Sequence, residues 1–333
     1  MHLPIGTGRR ENDWAVILAG GDGTRLKSLT RRISGDDRPK QFCRILGHET
    51  LLEQTRRRVL LEVAPQRTIY VVNRAHQLYY APLLTAEPTK HLVIQPGNRG
   101  TAPAILYSLL RIAAVDAKAV VAFFPSDHYI SDDYQFMAQM RCAFEISHRR
   151  SDLVMLMGIQ PQRPEVEYGW IEPAAPIFAG RGPRVFAVRR FWEKPEAMLA
   201  RSLFRQGCLW NSFVMVGAVK TLLGIIEKAL PEMYRAFASL PPCFNGRDEA
   251  STAKKLYDKL DETNFSHQVL AKAPEQLAVS EVVGVKWNDL GEPKRVMDSL
   301  IMQGQRPYWA DFPLTPALEA RIDTFLRTLP LGP

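Results

Sequence analysis

The residues best suited to phosphate chemistry lie near the start of the chain. The run Leu18-Ala19-Gly20-Gly21-Asp22-Gly23-Thr24-Arg25-Leu26 places three glycines, a hydroxyl and a guanidinium directly after an apolar segment. Glycines let the backbone approach a ligand closely, and successive N–H groups form a concavity for anions. Thr24 and Arg25 are positioned to open a helix, whose N-terminus favours negative charge. The run is not GxxxxGK[ST], because no Gly-Lys-Ser/Thr follows. It is not GxGxxG either, because Leu26 stands where the third glycine belongs. An ordinary glycine turn is the competing reading. Lys40 follows in Arg38-Pro-Lys-Gln-Phe42, and as a lone loop lysine it is most simply solvated. Two carboxylates complete the set: Asp127 in Phe124-Pro-Ser-Asp-His128 and Asp289 in Trp287-Asn-Asp-Leu-Gly291. Carboxylates from two separate elements can share one Mg²⁺, with phosphate oxygens and water filling its shell. Each is equally at home in a turn or helix cap. No Ser/His/Asp or Cys/His ordering suggests acyl chemistry.

These groups need elements to hold them. Apolar, β-branched runs at 14–19, 68–73, 92–95 and 119–125 read as strands, and helical patterns fall near 51–63, 75–84 and 102–115. Strands alternating with helices at this spacing imply βαβ units and a mostly parallel sheet. Further strands are predicted at 153–159, 184–192, 277–280 and 282–287. Helices are predicted near 196–206, 218–229, 231–239, 249–260 and 316–328. The fold class is therefore α/β, a three-layer Rossmann-like arrangement with a mixed, mostly parallel sheet. A polar tail over 1–12 precedes a core over 13–240. A C-terminal region over 241–333 must bring Asp289 back to the site.

Composition narrows the partners. The chain has 333 residues, 46% hydrophobic and 23% charged, which are ordinary globular proportions. Its net charge of +8 is concentrated early: residues 1–60 hold twelve Lys/Arg against seven Asp/Glu. That balance suits phosphates, but no long basic run interleaved with aromatics favours nucleic acid. Arg56-Arg57-Arg58 is the densest basic run and reads as the solvated face of a helix. No apolar stretch is long enough to cross a bilayer. No secretory leader is evident either, so a cytoplasmic protein is expected. Cys43, Cys142, Cys208 and Cys243 are widely spaced, and reduced structural thiols are expected rather than a metal site.

Taken in order, the motifs resemble the sugar nucleotidyltransferase superfamily, in particular mannose-1-phosphate guanylyltransferases. The glycine run and Pro39-Lys-Gln-Phe42 are followed by Gln95-Pro-Gly-Asn-Arg-Gly-Thr-Ala-Pro-Ala104, Phe124-Pro-Ser-Asp-His128 and the run Gly158–Glu172. Phe191-Trp-Glu-Lys-Pro195, Leu209-Trp-Asn-Ser212 and Trp287-Asn-Asp-Leu-Gly291 complete the series. The resemblance implies transfer from GTP to α-D-mannose 1-phosphate with release of pyrophosphate, in a dimer, with Mg²⁺ on Asp127 and Asp289. Two polyanions must meet, so cations and a metal matter more than a covalent nucleophile. Leu18, Ala19, Gly20, Gly21, Gly23 and Thr24 are expected to cradle the triphosphate. Gln95, Gly100 and Thr101 border the base, and Arg25 and Lys40 stabilise charge at the α-phosphorus. Tyr168, Gly169, Glu193 and Asn211 are expected to hold the sugar and Lys194 its phosphate. His128 is expected to be a positioned side chain rather than a base, because the attacking phosphate is already anionic. Some positions depart from the pattern. Asn98-Arg-Gly100 replaces Arg-Asn before Thr-Ala, Asp289-Leu-Gly-Glu-Pro293 replaces D-V-G-S-W, and Phe213-Val214 stands where Gly-x-Phe is expected. Another nucleotide and sugar pair, such as glucose 1-phosphate with UTP, CTP or ATP, therefore stays open, as does a catalytically silent nucleotide-sugar-binding regulator.

Overall fold

The computed structural model describes residues 10–178, 184–240, 247–304, 307 and 309. The expected helix near 316–328, Cys243 and most of the N-terminal tail lie outside them. The strands are β1 (Asp13–Ala19), β2 (Thr68–Asn73), β3 (Leu92–Gln95), β4 (Val120–Pro125), β5 (Tyr129–Ile130), β6 (Val154–Ile159), β7 (Trp170–Phe178), β8 (Val185–Trp192), β9 (Leu209–Ala218), β10 (Leu277–Val282) and β11 (Trp287–Asn288). The short β5 and β11 pair with each other, apart from the main sheet. The helices are α1 (Lys27–Ser34), α2 (Leu51–Val59), α3 (Gln77–Tyr80), α4 (Thr101–Val115), α5 (Asp133–Arg149), α6 (Ala197–Arg205), α7 (Val219–Ala229), α8 (Pro231–Ala238), α9 (Arg247–Tyr257), α10 (Phe265–Gln268) and α11 (Pro293–Gln303).

The main sheet has the order β3-β2-β1-β4-β9-β6-β10-β8-β7, and β7 also touches β9, so the second half curls back on itself. Only β8 and β9 run against the rest of this sheet. The sheet is thus mixed and mostly parallel, with helices on both faces. Period-2 alternation builds the two cores. Ala15, Ile17, Tyr70, Val72, Ala122 and Phe124 enter one core, while Val16, Ile69, Val71, Val121 and Phe123 enter the other. Burial on both faces explains why these strands read as continuous apolar runs. The helix α4, apolar nearly all round, is buried from Ala102 to Leu109 beneath the second face.

Three expectations are corrected. The helix expected over 75–84 is only the short α3 after a 3₁₀ turn. The strand expected over 282–287 is broken: β10 ends at Val282, Gly284 has φ 70°, and only Trp287–Asn288 pair again. The run Arg56-Arg57-Arg58 is a solvated face only at Arg57. Arg58 is 3% exposed at its side chain and bonds Asp133 at 2.6 Å, and Arg56 donates to the Leu83 carbonyl. The first residue of α5 thus supplies the acid that makes this burial tolerable.

A third apolar cluster explains how the C-terminal region reaches the site. Val296, Met297 and Leu300 of α11 pack on Leu26, Leu29 and Ile33 at the start of the chain, together with Ile45, Tyr129 and Leu290. Burying side chains of this size contributes roughly 1.5–3 kcal/mol each. Among the described residues no helix is long and apolar enough to cross a membrane.

Candidate active site

The carboxyl ends of β1, β3 and β4 open onto a cavity of about 400 Å³. In an open α/β sheet this edge, where the strand order reverses around β1, is where ligands bind. The glycine run leaves β1 as an irregular loop and enters a 3₁₀ turn at Thr24–Leu26 that continues into α1. Gly23 takes φ 59°, with Pro39 and the Lys40 backbone packed closely against it. Gln41 holds the loop from beneath, donating to the carbonyls of Ala19 (3.1 Å) and Gly21 (2.7 Å). Sequence reasoning singles out Lys40 in this segment and misses Gln41, whose role depends on carbonyls that only the folded loop presents. Ser126 donates both its amide and its hydroxyl to the Leu18 carbonyl, tying the start of the glycine loop to the turn that carries Asp127.

Leu18, Gly20, Gly21, Gln95, Gly100 and Thr101 line the cavity, as do Tyr168, Gly169, Glu193 and Asn211. Asp127 and Asp289 line it together. The expected residues Ala19, Gly23, Thr24, Arg25, Lys40 and Lys194 are outside its lining. Ala19 is buried in the core, and Thr24 lines a separate cavity with Asp22, His76 and Asp37. Arg25 is exposed and pairs with Glu167, a lining residue, at 3.2 Å. Lys194 is exposed beside Glu193.

The pairing of β5 with β11 brings the two carboxylates together: Asn288 sits opposite Tyr129, two residues after Asp127. Lys40 fastens the junction from below. Its ammonium donates to the carbonyls of Asp289 and Leu290 and lies 3.3 Å from Asp127 Oδ2. An ammonium has three protons, so Lys40 is fully engaged by the protein. Asp289 is fixed in turn by Arg295, a residue that sequence reasoning passes over. Arg295, with 2% of its side chain exposed, donates to both oxygens of Asp289 and pairs with Glu165 at 3.1 Å. Its guanidinium lies 4.5 Å from the Tyr168 ring centre, and the Tyr168 hydroxyl donates to Asp289 Oδ1 at 3.0 Å. The available signal is a basic residue in the first turn of a helix after Asp289; the carboxylate it serves becomes evident only on folding.

Burial pushes the Asp289 carboxyl upward, but Lys40, Arg295 and His128 outweigh it and hold it below the usual carboxylate range. Burial raises Glu193 above that range despite the nearby Lys194. Burial also lowers His128, which rests edge-on against Trp287 at 5.2 Å and is held as neutral imidazole near neutral pH.

A further wall comes from the segment before α10. Thr263 donates its amide to the Arg99 carbonyl and accepts from Ala102, and the Phe265 amide donates to Thr101 Oγ1. This brings Glu262, Asn264 and Ser266 to the cavity beside Gly100. Asn264 donates to Glu193 at 3.4 Å.

Three walls use the same turn. Asn98 Oδ1 accepts from the amide of Gly100, Asn211 Oδ1 from Phe213, and Asn288 Oδ1 from Leu290, at 2.9–3.1 Å. An asparagine bonded to the backbone two residues on forms a local turn that tolerates left-handed geometry. At the three residues whose amides donate, Gly100, Phe213 and Leu290, φ is 82°, 61° and 49°. Among the described residues the non-glycine positions with such φ are Lys194, Phe213 and Leu290. Each adjoins, or stands two residues from, a polar group of the cavity: Glu193, Asn211 and Asp289. Left-handed geometry costs a non-glycine residue roughly 1–2 kcal/mol, and such strain clusters at functional sites.

The sheet, the glycine loop and a cavity with paired carboxylates define an α/β protein built to hold phosphorylated ligands at a strand edge. The chain belongs to the nucleotidyl transferase family, whose model matches residues 14–301. It is similar to the alginate biosynthesis protein AlgA of Pseudomonas aeruginosa, 27% identical over 287 residues, 85% of this chain and 57% of that one. It is similar to the mannose-1-phosphate guanylyltransferase of Escherichia coli, 26% identical over 83% of this chain and 57% of the relative. The chain therefore spans a little over half the length of these curated relatives. Among solved structures, one described as mannose-1-phosphate geranyltransferase from Thermus thermophilus superposes with a TM-score of 0.71 at 28% identity, covering 84% of this chain and 76% of that one.

Proposed function

We propose that the protein transfers a guanylyl group from GTP to α-D-mannose 1-phosphate, releasing pyrophosphate. One observation carries this reading: Asp127 and Asp289, far apart in the sequence, share with the glycine loop a single cavity at the carboxyl edge of the sheet. The relatives named above support the choice of mannose 1-phosphate. An oxygen of the sugar phosphate attacks the α-phosphorus, the bond from that phosphorus to the oxygen bridging to the β-phosphorus breaks, and pyrophosphate leaves with the electron pair. No proton need be abstracted, which suits a neutral, packed His128.

In this reading the backbone of Gly20 and Gly21 receives the triphosphate, and Gln41 fixes the loop's shape. Arg25, exposed at the rim, exchanges Glu167 for a phosphate and adds charge there. Lys40 works by positioning, holding the turns of Asp127 and Asp289 at one distance. Glu193, Asn211 through its Nδ2, and the backbone at Gly169 orient the sugar, with Lys194 toward its phosphate. The donor set also fits a divalent metal. Asp127 and Asp289 are hard oxygen donors, and among the described residues no group of three or more His, Cys, Asp or Glu forms an all-protein cage. That pattern suits Mg²⁺, which keeps waters and substrate phosphates in its shell. When bound, the metal would neutralise phosphate charge and draw the reactants into line.

Guanine is the base with adjacent N1–H and N2–H donors. Gln95, Asn98 and Gly100 line the cavity together with Glu262, and in this reading the Glu262 carboxylate accepts those two donors. A mismatch would leave buried polar atoms unpaired. Pyrophosphate release across four NTPs and several sugar 1-phosphates tests the reading. GTP should exceed ATP by at least about tenfold in kcat/KM, equivalent to roughly 1.4 kcal/mol. Equal use of both, or a preference for UTP or CTP, would remove the guanylyl assignment and leave the transferase class.

A further inference from the structure

The strand β9 does not run evenly along β6. Leu156 faces Met215 and Gly158 faces Asn211, so two steps of β6 span four steps of β9. The surplus forms a bulge at Ser212-Phe213-Val214. The bulge is closed by side chains: Ser212 donates its hydroxyl to the Met157 carbonyl at 2.6 Å and accepts from the Val214 amide, while Asn211 accepts from Phe213. Bulges re-aim side chains beside active sites. Here Phe213 is held at φ 61°, packs in part on the second apolar cluster and lines the cavity that Asn211, Asn264 and Ser266 also line. A ring in this backbone geometry is uncommon, since only glycine takes it without cost. The space it occupies is also scarce. The cavity measures about 400 Å³. That is near the lower end for ligand sites, yet the proposed reaction must seat a nucleotide and a sugar phosphate together.

Resting on the functional reading above, we infer that Phe213 is a specificity-determining residue. Its ring sets the size limit of the sugar, admitting a hexose 1-phosphate whose hydroxyls are unsubstituted and shutting out one that carries an N-acetyl group. Asn211 spends one of the two acceptor positions of Oδ1 on holding this turn, so it meets the sugar chiefly through the donors on Nδ2. Shape at Phe213, more than hydrogen bonding at Asn211, then decides the sugar.

The experiment compares wild type with Phe213→Gly and Phe213→Ala in pyrophosphate release, using mannose 1-phosphate and N-acetylglucosamine 1-phosphate with the preferred NTP. Glycine removes both the ring and the backbone strain, whereas alanine removes the ring and keeps the strain. Both should raise kcat/KM for the N-acetylated sugar relative to mannose 1-phosphate by about tenfold or more, within the range that a few pocket atoms can discriminate. Thermal unfolding and calorimetric binding of each sugar phosphate separate altered selectivity from a damaged fold. Phe213→Trp should narrow the site and weaken both sugars. An active wild type whose ratio is unchanged in both folded variants overturns this inference alone. A wild type that turns over no NTP and sugar pair overturns the functional reading and this inference with it.

Discussion

Two walls of the cavity are made by the same turn with opposite residues at its key position. At Asn98–Gly100 the left-handed residue is a glycine, and at Asn211–Phe213 it is the largest apolar residue lining the cavity apart from the tyrosine and tryptophan opposite. The reasons differ physically. A Cβ on Gly100 would collide with the Thr263 backbone, so two backbones must touch there and no side chain fits. Phe213 sits in the bulge of β9, lines the cavity and packs in part on the second apolar cluster. Positive φ thus serves close backbone approach at Gly100 and side-chain placement at Phe213. The third turn, Asn288–Leu290, serves neither directly. It orients Asp289 from within the apolar cluster that docks α11.

The largest expected effect tests whether the third turn belongs with the chemistry. Among the described residues Asp127 pairs with Lys40 and lies 3.6 Å from His128, whereas Asp289 is held by Lys40, Tyr168, Arg295 and the Gly291 amide. Asp127→Asn should lower turnover about a hundredfold or more, roughly 2.7 kcal/mol of barrier, and should lower thermal stability as well, because the buried Lys40 ammonium loses the carboxylate beside it. Asp289→Asn should lose turnover similarly and also stability, because Arg295 is left short of one neutralising carboxylate. Near wild-type rates in Mg²⁺ for either variant would contradict the metal role.

The second effect sharpens the contrast between the two turns. Gly100 sits at positive φ against the Thr263 backbone. Gly100→Ala should therefore destabilise by about 2–4 kcal/mol, through backbone strain and displacement of Thr263. It should raise KM for the nucleotide more than for the sugar phosphate. If the Ala variant melts with the wild type and binds nucleotide equally well, close approach is not the reason for glycine.

The smallest effect concerns pH. His91 and His76, the latter beside Asp22 of the glycine loop, are both lowered from 6.5, chiefly by burial. Around and below the ordinary histidine value the unfolded chain therefore binds more protons than the folded one. Stability from these groups is fully present above that value and declines as pH falls through the folded values. Thermal unfolding followed from neutral to mildly acidic pH should show this decline, and His91→Asn should flatten it. An unchanged slope would assign the pH dependence elsewhere.

Much of the first half of the fold is legible in the sequence because its strands are buried on both faces and its helix α4 is apolar nearly all round. The strands β1 to β4 and the glycine loop stand within a residue or so of their expected positions. The strand β9 is not legible, although it lies at the centre of the sheet. Its bulge breaks the period-2 pattern, and its polar Asn211-Ser212 pair resembles a turn. Arg56-Arg57-Arg58 misleads for a related reason, since a basic run gives no sign of the acid, Asp133, that lets Arg58 be buried.

What the sequence determined by itself is local chemistry: a glycine loop after a buried strand, carboxylates at strand ends, alternating strands and helices, and an excess of cations early in the chain. Those properties depend on residues within a few positions of one another, where steric and periodic rules act directly. Only the tertiary structure decided which of the named residues share one cavity. It placed Lys40 beneath the carboxylates rather than in the lining, supplied Arg295 and Gln41 as supports for Asp289 and the glycine loop, and brought Glu262 and Phe213 to the cavity beside the expected residues. The physical reason is that each of these depends on a partner distant in sequence, such as a carbonyl, a carboxylate or an opposing strand, whose position is fixed only when the apolar clusters close.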